Sequence, residues 1–205
     1  MMRTILTFAL CFTAAAVRAD DKKPDKPLAE PEGTPLELTI TGKETTYTLD
    51  TGGLSAEDYR KKLADEARTG KPLAVPAIDL AVELKNTSDK AVQVWTMGDP
   101  VVLTLDLKGK GAVNLDPALA FTREFRIPKP VEIPAGKSFS IPLKTLTSGF
   151  RGRAHVSYWT EPGEYELVAT FKTGVSPAPK GAKEGMDGFG LVTLTSAPFK
   201  VTVKK

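Results

Sequence analysis

Pro162-Gly163-Glu164-Tyr165-Glu166-Leu167-Val168-Ala169 sets a tight turn directly before a segment in which Tyr165, Leu167 and Ala169 share one face and Glu164 and Glu166 the other. Strand side chains alternate between faces, so the pattern is that of a half-buried β-strand. A tyrosine just after such a turn fits the tyrosine corner of β-sandwiches, whose hydroxyl donates back to the backbone. The same period of two extends outward from this stretch. Upstream, Ile78, Leu80, Val82 and Leu84 alternate, and Asn86-Thr87-Ser88-Asp89 follows as a turn cluster. Val92 and Val94 continue, then Leu103, Leu105 and Leu107 after a Gly-Asp-Pro turn, with further strand candidates at 120–125, 130–133, 137–143 and 154–159. Downstream, 191–195 and 199–203 close the chain. About seven to ten short strands separated by turn signals predict a mainly β chain folded as an antiparallel β-sandwich.

The N-terminal third departs from this pattern. Residues 35–41 and 44–49 read as a hairpin turning at Gly42-Lys43, with Leu36, Leu38 and Ile40 on one face. Residues 55–68 read as an amphipathic helix: Ser55 caps it, Asp58 completes an approximate capping box, Ala56, Tyr59, Leu63 and Ala67 form its apolar stripe, and Gly70 stops it. Glu57–Lys61 and Asp58–Lys62 are spaced as i,i+4 pairs. Residues 20–34 are charged and Pro-rich, which predicts a flexible leader. The expected organisation is a signal peptide at 1–19, the leader at 20–34, hairpin plus helix at 35–70, and the sandwich at 77–205 with a long loop at 173–190.

The signal-peptide reading rests on Arg3, an apolar run over 4–16, and Val17-Arg18-Ala19 with small residues at −3 and −1. It predicts a secreted or periplasmic protein. The run is too short to span a bilayer, and no later segment comes close. The one cysteine, Cys11, lies inside the peptide, so the mature protein is expected to be free of disulfides and of thiol chemistry. The chain has 28 Lys+Arg against 25 Asp+Glu, and loss of Arg3 and Arg18 with residues 1–19 leaves 26 against 25. So balanced a charge argues against nucleic acid as a partner.

Several motifs invite a chemical reading. Asp50-Thr51-Gly52 has the lettering of an aspartic protease, but those enzymes need two such carboxylates and none repeats here, so it reads as a turn. His155 is the sole histidine, which excludes a His-based triad and a multi-histidine zinc site. Arg123, Arg126, Arg151 and Arg153 could converge on an anion or pair with Glu132, Glu161 or Glu164. Trp95, Trp159, Tyr158 and Phe150 would serve a glycan if exposed and would otherwise pack the sandwich. Asn86-Thr87-Ser88 matches a glycosylation sequon that turn chemistry already accounts for.

The turn elements carry a resemblance. Asn86-x-Ser88-Asp89, Ile133-x-Ala135-Gly136 and Pro162-Gly163-x-Tyr165 are ordered as in secreted bacterial immunoglobulin-like domains. The layout over 77–172 is similar to that of BsuPI-type proteinase-inhibitor domains. The resemblance implies an immunoglobulin-like sandwich and assigns no residue an inhibitory role. The helix, residues 144–159 and the loop at 173–190 have no place in that layout.

The resulting expectation is an exported, non-enzymatic interaction module without cofactor or metal. Its partner would be an envelope or extracellular protein. Inhibition of an extracellular protease and carbohydrate binding are the alternatives. The candidate binding residues are Arg151, Arg153, Lys180, Lys183, Phe189 and Trp159, because sandwich loops cluster at the ends of the fold and carry function.

Overall fold

A computed structural model describes residues 25–71, 73–117, 124–150 and 153–205. In chain order its elements are β1 (Leu28–Glu30), β2 (Leu36–Gly42), β3 (Thr46–Thr48), α1 (Ala56–Thr69), β4 (Ala77–Asn86), β5 (Val92–Met97), β6 (Val102–Gly109), β7 (Ala112–Leu115), β8 (Lys129–Ile133), β9 (Ser138–Thr145), β10 (Thr147–Phe150), β11 (Arg153–Trp159), β12 (Gly163–Ser176), β13 (Lys183–Glu184), β14 (Gly190–Thr195) and β15 (Phe199–Lys204), with one 3-10 turn at Met186–Gly188. The chain is mainly β and antiparallel, with one α-helix among the described residues. Residues 1–19, where the sequence predicts a signal peptide, lie outside them.

Two layers follow from the alternation. In the smaller sheet, β4 lies between β2 and β9. Its Ile78, Leu80, Val82 and Leu84 point inward beside Leu36, Leu38 and Ile40 of β2 and Leu143 of β9, while Asp79 and Lys85 face water. The larger sheet is built on β12, which answers with Tyr165, Leu167, Ala169, Phe171 and Val175, joined by Leu105, Leu107, Val192, Leu194 and Val201 in one continuous core. Burying each such leucine or phenylalanine stabilises the fold by about 1.5–3 kcal/mol.

One edge of β12 pairs with β6 over Tyr165–Lys172 and reaches β5 at Val175 and Ser176. The other pairs first with β15 over Gly163–Leu167, then with β14 over Thr170–Val175. Ser196 fills the changeover: its hydroxyl accepts from the Ala169 amide at 2.9 Å and its own amide donates to the Ala169 carbonyl at 2.9 Å. The tyrosine corner forms as expected, with the Tyr165 hydroxyl donating to the Glu161 carbonyl at 2.6 Å. The helix is also where the sequence placed it. Ser55 Oγ accepts from the Asp58 amide, and Gly70 closes the end at φ +69°.

Three expectations are corrected. The leader is not free throughout: Leu28–Glu30 pairs with β14, so backbone hydrogen bonds order a stretch that its composition could not. The hairpin does not exist, because β2 pairs with β4 in one sheet and β3 pairs in parallel with β15 in the other. The loop at 173–190 is largely regular; β12 runs on to Ser176, β13 pairs with β14, and Phe189 is buried. The strand expected at 154–159 forms as β11, and with β10 it extends the larger sheet to β7. Of the strand candidate at 120–125, residues 120–123 lie outside the described residues and the rest is not strand.

Helix α1 covers the outer side of that extension. Leu63 packs with Ala154, Val156 and Tyr158 of β11, bordered by Tyr59, Leu73, Val75, Val113 and Leu115, in a second cluster separate from the main core.

Candidate functional site

The end of the sandwich that carries residues 177–189 holds three of the six expected binding residues, Lys180, Lys183 and Phe189, in altered roles. On β5, Val92 and Val94 enter the core, so Gln93, Trp95 and Met97 face outward. The 177–189 segment folds back over Trp95. Phe189 stacks on its ring at 4.6 Å between centroids and 21° between planes, and the Gly185 amide donates to the Phe189 carbonyl at 2.7 Å. A Cβ at Gly174 would lie 2.4 Å from that indole, so glycine is the residue that lets β12 pass beneath it. Phe189 is 6% exposed and Trp95 3%. Phe189 is therefore an anchor of the segment and not a contact residue.

Lys180 and Lys183 are exposed on the pinned segment. Lys183 joins Glu30, Pro31, Pro100, Lys172 and Leu191 around a concavity of about 440 Å³; Lys180 is not part of its lining. Beside Pro100 the chain is equally constrained. The Asp99 amide donates to the Arg126 carbonyl at 2.8 Å, and the Arg126 amide donates to Asp99 Oδ2 at 2.9 Å. Gly98, at φ +94°, packs so closely that a Cβ would lie 2.6 Å from Pro128 Cα. This lock presents Met97 (55% exposed), Phe125 (58%) and Ile127 (80%) to solvent on adjoining backbone. Residues 151 and 123 lie outside the described residues, and Arg153 is placed only as the first residue of β11. Whether the arginines converge therefore lies largely outside the described residues, and Glu161, one of the acidic partners suggested for them, is bound by Arg60 and Lys110.

Glu161 belongs to a knot that sequence reading missed. Its carboxylate is bound by Arg60 of α1 and by Lys110 at 3.2 Å, while Arg60 Nε donates to Thr160 Oγ1 at 2.8 Å. The Lys110 ammonium, and then the Arg60 guanidinium, hold this carboxyl below the usual glutamate range against the opposing effect of burial. The Thr160 amide and hydroxyl both donate to the Gly111 carbonyl at 2.9 Å. The knot locks the helix to the tyrosine corner. Only the Gly109-Lys110-Gly111 spacing hinted at it, and Arg60 was hidden among the charged residues of the helix. The i,i+4 pairing also shifts: Lys62 lies 4.0 Å from Glu66, while Asp58 is engaged with Ser55 at the cap.

The glycan platform lacks its exposed tryptophans. Trp159 is 4% exposed, stacked on Tyr47 at 5.3 Å and 20°. It forms the floor of a groove of about 320 Å³ between β3, α1 and residues 74–77, lined also by Asp50, Tyr59, Val75 and Pro76. Asp50 itself makes the turn its sequence suggested, its Oδ1 accepting from the Gly52 amide at 2.8 Å. Asn86 is fully buried, donating to the Lys90 and Ile133 carbonyls, so the sequon asparagine is occupied by the fold.

Among the described residues, two buried polar side-chain atoms lack partners. His155 Nδ1 lies 2.7 Å from Asp116 Oδ1, while Nε2 has no hydrogen bond. The Tyr158 hydroxyl, beneath α1, also has none, and burial pushes its pKa far above the ordinary tyrosine value. Among the described residues no three His, Cys, Asp or Glu side chains converge as a metal site would require, and no helix is long and apolar enough to cross a membrane. Comparison with family models, with curated proteins and with solved structures finds no match.

Proposed function

We propose that this chain is an exported, non-enzymatic binding module whose partner is a protein of the cell envelope or extracellular space, engaged at the end of the sandwich that carries residues 177–189. One observation carries the reading: Met97, Phe125 and Ile127 stand exposed together on backbone locked by the Asp99–Arg126 hydrogen bonds. Clustered apolar side chains that a monomer could otherwise have buried mark protein contact surfaces. Their support is rigid, so little ordering entropy is lost on association. The neighbouring concavity adds Lys172 and Lys183 opposite Glu30, a polar rim of the kind that surrounds an apolar contact centre.

The test is site-specific photo-crosslinking in the native envelope and culture fluid. A photoreactive residue at Ile127 is expected to give one dominant protein adduct, and one at Lys85, on the opposite sheet, none. The adduct is expected to disappear in the Met97→Ser, Phe125→Ser double variant. A protease as partner would turn the reading into the inhibitor form. Equal adducts from both positions, or none from Ile127, would defeat it.

A further inference from the structure

The aromatic groove over Trp159 has a ligand chemistry of its own, on a different face from the proposed protein contact. Its volume lies at the lower end of small-molecule sites. Its walls are the rings of Tyr47, Tyr59 and Trp159 with Val75 and Pro76, and Asp50 is the one charged side chain among its lining residues. The Gly52 amide fixes that carboxylate through one oxygen and leaves the other for a ligand. The surroundings are electronegative. Beyond burial, Asp50 and Glu66 raise the Tyr59 hydroxyl pKa; on Tyr47 a hydrogen bond with the Asp79 backbone lowers it, while the charges of Glu44 and then Asp79 raise it. Asp79 and Glu66 are themselves paired, with Lys144 and Lys62, so Asp50 is the carboxylate that the groove offers a ligand.

We propose that this groove binds a small quaternary ammonium ligand, with its methylated nitrogen against the half-buried Tyr47 and Tyr59 rings and its charge facing Asp50. Aromatic faces attract cations through their quadrupole, most strongly where water is excluded. A primary ammonium has three N–H donors, and one carboxylate among apolar walls would leave donors unsatisfied. A quaternary ammonium has no donors to lose. A sugar would bring many hydroxyls to walls that are mostly carbon, which sets it apart from this chemistry.

The full chain is titrated with choline, tetramethylammonium, ethanolamine and 3,3-dimethylbutan-1-ol, the uncharged isostere of choline, by calorimetry and tryptophan fluorescence. Choline and tetramethylammonium are expected to bind, with the alcohol and ethanolamine weaker by about fivefold or more. Asp50→Asn retains an oxygen for the Gly52 amide, so the turn stands; it is expected to weaken choline about tenfold and leave the alcohol unchanged. Tyr59→Leu is expected to weaken choline similarly, and Asp89→Asn, in the turn beyond the far end of β4, to leave it unaltered. The assignment is overturned if the alcohol binds as well as choline, if Asp50→Asn leaves choline affinity intact, or if choline shows no binding by about 10 mM.

Discussion

The main core and the cluster under α1 are built by different rules. In the main core the buried apolar side chains of β4 and β12 join one cluster, and the buried polar ones beside them are paired: Thr173 Oγ1 donates to the Trp95 carbonyl at 2.6 Å, and the Tyr165 hydroxyl to Glu161. Under α1 only Leu63 of the helix is fully buried, and the Tyr158 hydroxyl is left without a partner. The first region is a two-sided sandwich whose layers specify each other. The second is one amphipathic helix resting on the outside of a sheet extension, tied down at the Arg60–Glu161–Lys110 knot. Local stability tracks buried apolar contact and satisfied polar groups, so the two regions should open at different free energies.

The largest effect expected is on the main core. Leu84→Ala should cost about 2–5 kcal/mol in denaturant unfolding, and Leu63→Ala should fall at or below the lower end of that range, because the small cluster can collapse around the loss. Equal losses would erase the distinction. Hydrogen exchange offers a second reading of it: the amides of α1 should exchange through a sub-global opening that leaves β4 and β12 protected. Next is Gly174→Ala, which drives a methyl into the Trp95 indole and should cost about 1–3 kcal/mol by overpacking. An unchanged midpoint would mean that residues 177–189 are not pinned on Trp95.

The sharpest contrast is one substitution at two tyrosines. Tyr165→Phe removes a made hydrogen bond and should cost about 1 kcal/mol, while Tyr158→Phe removes a buried hydroxyl with no partner and should be neutral or stabilising. A destabilised Tyr158→Phe would reveal a bonded hydroxyl and bring the two regions closer. The smallest effect concerns acid. The folded-state pKa of Glu161 is depressed, so its ion pairs contribute stability above the unfolded pKa, near about 4.3, and that contribution is lost as pH falls through the lower folded value. Glu161→Gln should therefore be less stable than the parent at neutral pH, with the two converging in acid; parallel curves would mean that the knot carries no charge-dependent stability.

Legibility followed contact order. Tyr165 could be read because its corner is closed within four residues, and α1 because Ser55, Asp58 and Gly70 act within one turn of its ends. The alternation at Ile78–Leu84 fixed which faces are buried without reference to what covers them. Partner choice was different. Leu36, Leu38 and Ile40 announce a strand, yet nothing in them says that it pairs with β4 instead of its neighbour β3. Among the candidate binding residues, Phe189 and Trp159 were found by being large and aromatic, and size alone does not separate a buried anchor from an exposed contact.

The sequence by itself determined a mainly β antiparallel chain, the tyrosine corner, the single helix with both caps, and the turns at Asp50 and Asn86. Each depends on dihedral preference, alternation or hydrogen bonds between residues close in the chain. Only the tertiary structure decided that β3 runs parallel to β15, that residues 177–189 close over Trp95, that Met97, Phe125 and Ile127 come to one exposed place, and that Asp50, Tyr47, Tyr59 and Trp159 line one groove. Those outcomes join residues tens of positions apart. They are selected by how much surface each pairing buries across the whole molecule, a quantity no local pattern records.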